Sequence, residues 1–283
     1  MMMLSVLRHC GLRQRRILSF RTQIRTMKIV PVPVRSDNYA YLLIDETSKT
    51  AAAVDPYDVP KVSAAADEHG VRIIAALTTH HHDDHAGGNP EFVKKYPDAP
   101  IYGGSNRVLA LSKLIKDKDE FKIGDSIQVK CLATPCHTQD SICYHVTDSS
   151  SSHPGGVFTG DTLFIAGCGR FFEGVGSEMI SALDYLGKLP DKTIVYNGHE
   201  YTKSSLAFGK HVDPSNPAIS KLEEIVKNNK ITTGLTTIAD EKGWNVFMRL
   251  DSTAVREATS ANKDTPQNEV MDTLRDQKNN FKG

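Results

Sequence analysis

The stretch TTHHHDDHAGG, residues 78–88, sets four histidines and two aspartates directly behind the apolar run IIAAL of residues 73–77. Burying such groups unpaired costs several kcal/mol each, so a metal ion is the first candidate for what offsets that cost. His80, His82, Asp84 and His85 spell HxHxDH. A strand-to-helix loop aims the alternate residues His80 and His82 the same way, while Asp84 and His85 follow as the chain turns into a helix and face a second point nearby. Imidazole and carboxylate are donors that zinc, iron and manganese all accept. A pair of ions about 3.5–4 Å apart needs further donors and a bridge.

Those donors are available downstream. His137 lies in TPCHTQDS, Asp161 in FTGDTLF and His199 in YNGHEYT, each beside Gly, Pro or Thr as a tight turn at a strand end requires. Asp161 suits the bridge, because a carboxylate can give one oxygen to each ion. His81 and Asp83 alternate with the donors and are expected to point away. His9, His69, His145, His153 and His211 have no such context and read as surface or structural residues.

Outward from this cluster one theme repeats. Apolar, β-branched runs at 41–44, 51–54, 73–77, 127–132, 157–158 and 193–196 each end in a polar group, including Asp55-Pro56. Helical patterns at 59–69, 90–96 and 178–186 lie between them. Alternating strands and helices imply α/β layers, and polar strand ends imply one shared site at one sheet edge. TDSSSSHPGG at 147–156 reads as a surface loop. Beyond residue 214 the pattern is mainly helical: 217–229 has Asn216 as N-cap and Pro217 at the first helical position, and Thr265-Pro266 opens a last helix running to about residue 281.

Of the 283 residues, 39% are hydrophobic and 24% charged, an ordinary composition with material for a core. Lys+Arg and Asp+Glu both number 34, so no overall positive charge argues for nucleic-acid binding. No apolar run approaches the roughly 18–20 residues of a membrane helix. Five cysteines without a CxxC fit reduced thiols. Residues 1–26 hold six arginines and no acid, interleaved with apolar residues, which is the composition of a mitochondrial transit peptide. The remaining body carries a formal charge of −6 against the zero of the whole chain. Residues 1–26 therefore predict a mitochondrial matrix form, and a start at Met27 a cytoplasmic one.

HxHxDH followed by a lone His, an Asp and a final His resembles the metallo-β-lactamase superfamily. Within it the sequence is similar to the glyoxalase II family, the hydroxyacylglutathione hydrolases, through TTHHHDDHAGGN, GDTLFIAGCGRFFEG, NGHEYT and a last helix carrying Arg275 and Lys278. The resemblance covers residues 27–283. It implies an α/β fold: an αββα metallo-β-lactamase-type sandwich over 27–200, followed by a mainly α-helical, substrate-binding subdomain over 201–283. It places His80, His82 and His137 on one divalent ion and Asp84, His85 and His199 on a second, with Asp161 bridging and Asp84 and Asp161 as catalytic carboxylates. Zinc is the first expectation, with iron and manganese also admitted by the donor set.

The implied reaction hydrolyses S-D-lactoylglutathione to D-lactate and glutathione, a step in methylglyoxal detoxification, by a hydroxide made between the two ions. The implied partner is this small glutathione thioester; separately, charge and hydropathy give no nucleic-acid or membrane partner, and a monomer is expected because no apolar surface motif stands out. Arg275 and Lys278 are implied to take the glycine carboxylate, with Arg170 and Tyr201 contacting the glutathione nearer the metals. Phe172 stands where the family often has tyrosine, keeping the ring and losing the hydroxyl. On its own, DTLRDQKNNFK reads instead as a solvated helix face with Val270, Leu274 and Phe281 on the buried side.

Three rivals share some of these residues. A one-iron persulfide dioxygenase would use fewer donors and lack the helical C-terminal region, while β-lactamase and tRNA-nuclease activities would suit secretion and a basic surface respectively. Cys136-His137 as thiol nucleophile and base requires adjacent residues to meet in a geometry they rarely reach. A structural metal module would be closed and usually Cys-rich.

Overall fold

The structure, a computed structural model, describes residues 27–283; the expected transit peptide lies outside the described residues. The first sheet runs β1 (Met27–Val34), β2 (Asn38–Asp45), β3 (Thr50–Val54), β4 (Arg72–Leu77), β5 (Ile101–Gly103) and β6 (Lys113–Leu114), in that spatial order. The second sheet contains β7 (Glu120–Ile123), β8 (Ile127–Ala133), β9 (Ile142–Thr147), β10 (Gly156–Gly160) and, after the small hairpin β11 (Leu163–Phe164) and β12 (Gly167–Cys168), β13 (Ile194–Asn197). Its spatial order is β13-β10-β9-β8-β7.

Why the sheets stack follows from β2. All eight of its residues are buried, so both of its faces are covered. Tyr39, Tyr41 and Leu43 point one way and meet Val129, Tyr144, Phe158 and Tyr196 of the second sheet. Ala40, Leu42 and Ile44 point the other way and meet Val59, Val62 and Ala66 of helix α1 (Val59–Glu68). Short helices α2 (Asp83–Ala86) and α3 (Asn89–Lys95) follow β4, and Phe92 of α3 joins the same outer layer. The outer face of the second sheet, through Leu132, Cys143, Val157 and Val195, packs on Met179, Leu183 and Leu186 of α4 (Gly176–Gly187). Four layers result, helix-sheet-sheet-helix, as expected.

The chain beyond β13 is helical: α5 (Thr202–Val212), α6 (Ile219–Asn228), α7 (Ile238–Trp244), a 3-10 turn at Val246–Met248, α8 (Thr253–Ala258) and α9 (Gln267–Asn280). Val270, Met271 and Leu274 of α9 share one apolar cluster with α4 and the second sheet, so these helices extend the sandwich's own outer layer. Helix α6 starts two residues later than expected. Asn216 Oδ1 accepts from Ala218 N at 3.0 Å, closing a turn ahead of the helix instead of capping its first residue.

Candidate metal centre and substrate cavity

Strands β3 and β4 run parallel, as do β10 and β13, so their C-terminal ends share one edge of the sandwich. Open α/β sheets bind ligands at such edges. β4 delivers the loop from Thr78 to His82, β8 delivers His137, β10 delivers Asp161 and β13 delivers His199. The pairing of β10 with β13 is irregular between Phe158 and Gly160. Gly160 then takes φ +46°, the left-handed region that favours glycine, and re-aims the chain so that Asp161 faces the site.

The expected donors converge. His82 Nδ1 lies 3.1 Å from both His80 Nε2 and His137 Nε2. His85 Nε2 lies 3.3 Å from His199 Nε2, and Asp84 Oδ2 lies 3.4 Å from the same His199 nitrogen. Asp161 stands between the groups: its Oδ1 is 3.3 Å from His85 Nε2, and its Oδ2 is 3.4 Å from His137 Nε2 and 3.3 Å from His199 Nε2. Donor-to-donor spacings near 3.3 Å are the edges of a tetrahedron whose centre-to-nitrogen distance is about 2.0–2.1 Å. His81 turns away to Asp140, and Asp83 stays exposed beside Arg35.

The rings are fixed from behind. His85 Nδ1 donates to Asp55 Oδ2 at 2.9 Å, His199 Nδ1 to Asp37 Oδ1 at 2.8 Å, and His137 Nδ1 to the Arg170 carbonyl at 2.9 Å. Thr79 Oγ1 gives its proton to Asp55 and can accept from His80 Nδ1 at 3.0 Å. Each donation leaves the opposite nitrogen with a lone pair aimed inward, which is how metal-binding imidazoles are oriented. Asp55 itself is buried behind His85 and held at φ +45°, a strained backbone conformation for a residue other than glycine.

Electrostatics agree with a cation at the centre. Burial alone would raise the Asp161 carboxyl, yet His85 and His199 hold it well below the usual carboxylate range. Burial opposes protonation of His199, but Asp161 and Asp84 push it up to about 10. Burial together with neighbouring imidazoles lowers His80, His82 and His137, keeping them neutral with free lone pairs. A site that draws protons onto two imidazoles and off two carboxylates is arranged to hold positive charge. The buried Asp161 Oδ1 has no hydrogen-bond donor, an unmet acceptor that an ion would satisfy.

A cavity of about 520 Å³ opens from these donors and reaches Arg275 and Lys278. Tyr201 stacks on His199, the rings 4.7 Å apart and 7° from parallel, while Phe172 stands edge-on to His82 and His137. Phe172 is 61% exposed, so its ring forms part of the rim. The Arg170 side chain also lines the cavity. Arg275 is not on a solvated face: it is buried, donates Nη1 to the Cys168 carbonyl at 2.8 Å, lies over Phe247, and keeps Nε without a partner. Lys278 donates Nζ to the Ser204 carbonyl at 2.8 Å, and burial beside Arg275 lowers its ammonium to about 8.

Residues 40–199 match the metallo-beta-lactamase superfamily, and residues 200–281 match the hydroxyacylglutathione hydrolase C-terminus. The chain is 45% identical over 248 residues to the probable hydroxyacylglutathione hydrolase glo2 of Schizosaccharomyces pombe, covering 86% of this chain and 93% of that protein. The chain belongs to the glyoxalase II family. It is also 41% identical over 258 residues to the cytoplasmic hydroxyacylglutathione hydrolase of Arabidopsis thaliana, covering 89% and 97% of the two chains. Among solved structures, it is similar to the crystal structure of ETHE1 from Myxococcus xanthus, with TM-score 0.62, 26% identity and coverage of 89% and 97%.

Membership of glyoxalase II makes the chain a hydrolase, and its His/Asp clusters suit divalent metals. The thiol rival fails on geometry. Cys136 is buried and donates to the Val175 carbonyl at 3.4 Å, burial pushes its thiol up to about 12, and both ring nitrogens of His137 are engaged elsewhere. Sequence reasoning did not find Asp37 or Asn38, and it noted Asp55 only as a strand end. The one signal for Asp37 and Asn38 was an acid-amide pair in a turn before an apolar strand.

Proposed function

We propose that this chain hydrolyses S-D-lactoylglutathione to D-lactate and glutathione at two divalent ions, zinc first among them, with iron and manganese compatible with the same donors. The observation that carries the reading is one cavity lined by His82, Asp84, His137, Asp161 and His199, with His80 and His85 buried behind them, that also reaches Arg275 and Lys278. His80, His82 and His137 would hold one ion, Asp84, His85 and His199 the other, and Asp161 both. When bound, such a pair lowers the pKa of a shared water and polarises a carbonyl oxygen.

The chain's own residues do the rest. The partly unfilled donors of Arg275 and the ammonium of Lys278 suit a carboxylate on the leaving thiol's peptide, through charge-assisted hydrogen bonds. Arg170 and Tyr201 line the path from that clamp to the donors and would fix the glutathione backbone, so that the thioester carbon reaches the ions in one orientation. Phe172 adds apolar contact at the rim without a hydroxyl. Thiolate departs readily, so no general acid is required of the protein. The helices over 201–283 act in this reading as the substrate-binding part and 27–200 as the catalytic part, with residues 1–26 directing the chain to the mitochondrion.

Steady-state hydrolysis of S-D-lactoylglutathione by the full chain, beside Arg275→Ala/Lys278→Ala, tests the reading. The expected result is rapid turnover by the parent and a rise in KM with kcat nearly kept in the variant. A parent inert toward the thioester would overturn it.

A further inference from the structure

One short turn carries no expected ligand and yet touches only one half of the donor set. Residues 35–37 join β1 to β2, and Asp37 Oδ1 accepts from His199 Nδ1 at 2.8 Å. The next residue, Asn38, is buried. Its Nδ2 donates to Asp84 Oδ2 at 2.9 Å, contacts the Asp84 carbonyl at 3.3 Å and lies 3.4 Å from His199 Nε2. Backbone bonds pin this turn to the His199 loop: Tyr39 N donates to the Gly198 carbonyl, and Glu200 N to the Asp37 carbonyl. His80 and His137 are backed differently, by the Thr79 hydroxyl and the Arg170 carbonyl. Neutral groups therefore stand directly behind those two rings, while a carboxylate stands behind His199.

We infer that Asp37 and Asn38 are positioning residues that set the affinity of one subsite, Asp84/His85/His199, independently of the other, so that the two ions are held unequally. The inference rests on the two-ion reading above. A carboxylate behind a metal-binding imidazole fixes the ring and strengthens it as a donor, and an amide donating to Asp84 Oδ2, the oxygen that lies 3.4 Å from His199 Nε2, holds that oxygen toward the subsite. The turn supplies both effects to one subsite and neither to His80, His82 or His137.

The test is metal retention by the full-length holoenzyme, challenged with graded concentrations of a zinc chelator, measured as zinc per chain alongside kcat and KM. Asp37→Asn keeps the shape and removes the charge at a half-exposed position; Asn38→Ser is the second variant, and Asp83→Asn is a control for loss of charge on an exposed neighbour. The expected result is a two-step loss in which Asp37→Asn and Asn38→Ser each release one zinc at roughly 10- to 100-fold lower chelator. The other zinc stays where it is in the parent, and Asp83→Asn behaves as the parent. A two-zinc parent whose variants lose both ions together, or neither, overturns the inference and leaves the two-ion reading standing. A parent that holds a single zinc overturns both.

Discussion

The two ends of the cavity are built in opposite ways. At the donor end, loops from β3, β4, β8, β10 and β13 meet, and nearly every polar group answers to a second polar group behind it. At the cationic end, one helix presents Arg275 and Lys278 against the rings of Phe247, Phe208 and Phe281. The first end depends on the register of two sheets and tolerates little displacement. The second depends on the packing of α9 through Val270, Met271 and Leu274. Damage at the donor end should therefore abolish turnover, and damage at the cationic end should weaken substrate capture.

Asp161→Asn should break this comparison most severely. It replaces the carboxylate placed between both groups of imidazoles, and kcat should fall by at least about 10²-fold, with metal lost on the same sample by elemental analysis. At the other end, Arg275→Ala/Lys278→Ala should lower kcat/KM by about 10- to 10²-fold per removed charge-assisted contact, mostly through KM. If kcat fell instead and KM held, the division of labour between the ends would be wrong. Gly198→Ala should cost about 1–3 kcal/mol of stability by overpacking, because a Cβ there meets Asp161 Oδ1 and His85 Cε1. A thermal melt reads this directly, and an unchanged Tm would show the donor end to be softer than described.

The smallest expected effect is on pH. Burial beside Arg275 lowers Lys278 to about 8, so its charge is present below that pH and is lost as pH rises through it. KM for the anionic thioester should rise above pH 8, and Lys278→Arg should flatten that rise because guanidinium stays protonated. A parent KM that is level across the range would remove Lys278 from the clamp.

The donor end was largely legible in the sequence, and the reason is local. His80, His82, Asp84 and His85 lie within one six-residue stretch, and His137, Asp161 and His199 each follow an apolar run beside Gly or Thr, so one strand end at a time could be read. What supports the donors was not legible. Asp37 reaches His199 across 162 positions and Asn38 reaches Asp84 across 46, and nothing in RSDNY distinguishes an orienting pair from ordinary turn residues. The cationic end was ambiguous for a different reason. Arginine is rarely buried, so DTLRDQK reads as a solvated face until the Cys168 carbonyl and the Phe247 ring are seen to take Arg275 in. Alternating strand and helix patterns implied only α/β layers, and the αββα order came from the family resemblance, whereas the late start of α6 turned on a single bond that Asn216 Oδ1 accepts from Ala218 N.

The most direct test of the joint action of the two ends compares kcat/KM for S-D-lactoylglutathione with that for the D-lactoyl thioester of a thiol lacking the glutathione carboxylates. Both share the thioester bond that the proposed reaction breaks, and only the glutathione thioester carries the carboxylates proposed to meet Arg275 and Lys278. The account predicts a preference of at least about 10²-fold for the glutathione thioester, since two charge-assisted contacts are at stake. Equal values for the two thioesters would contradict it.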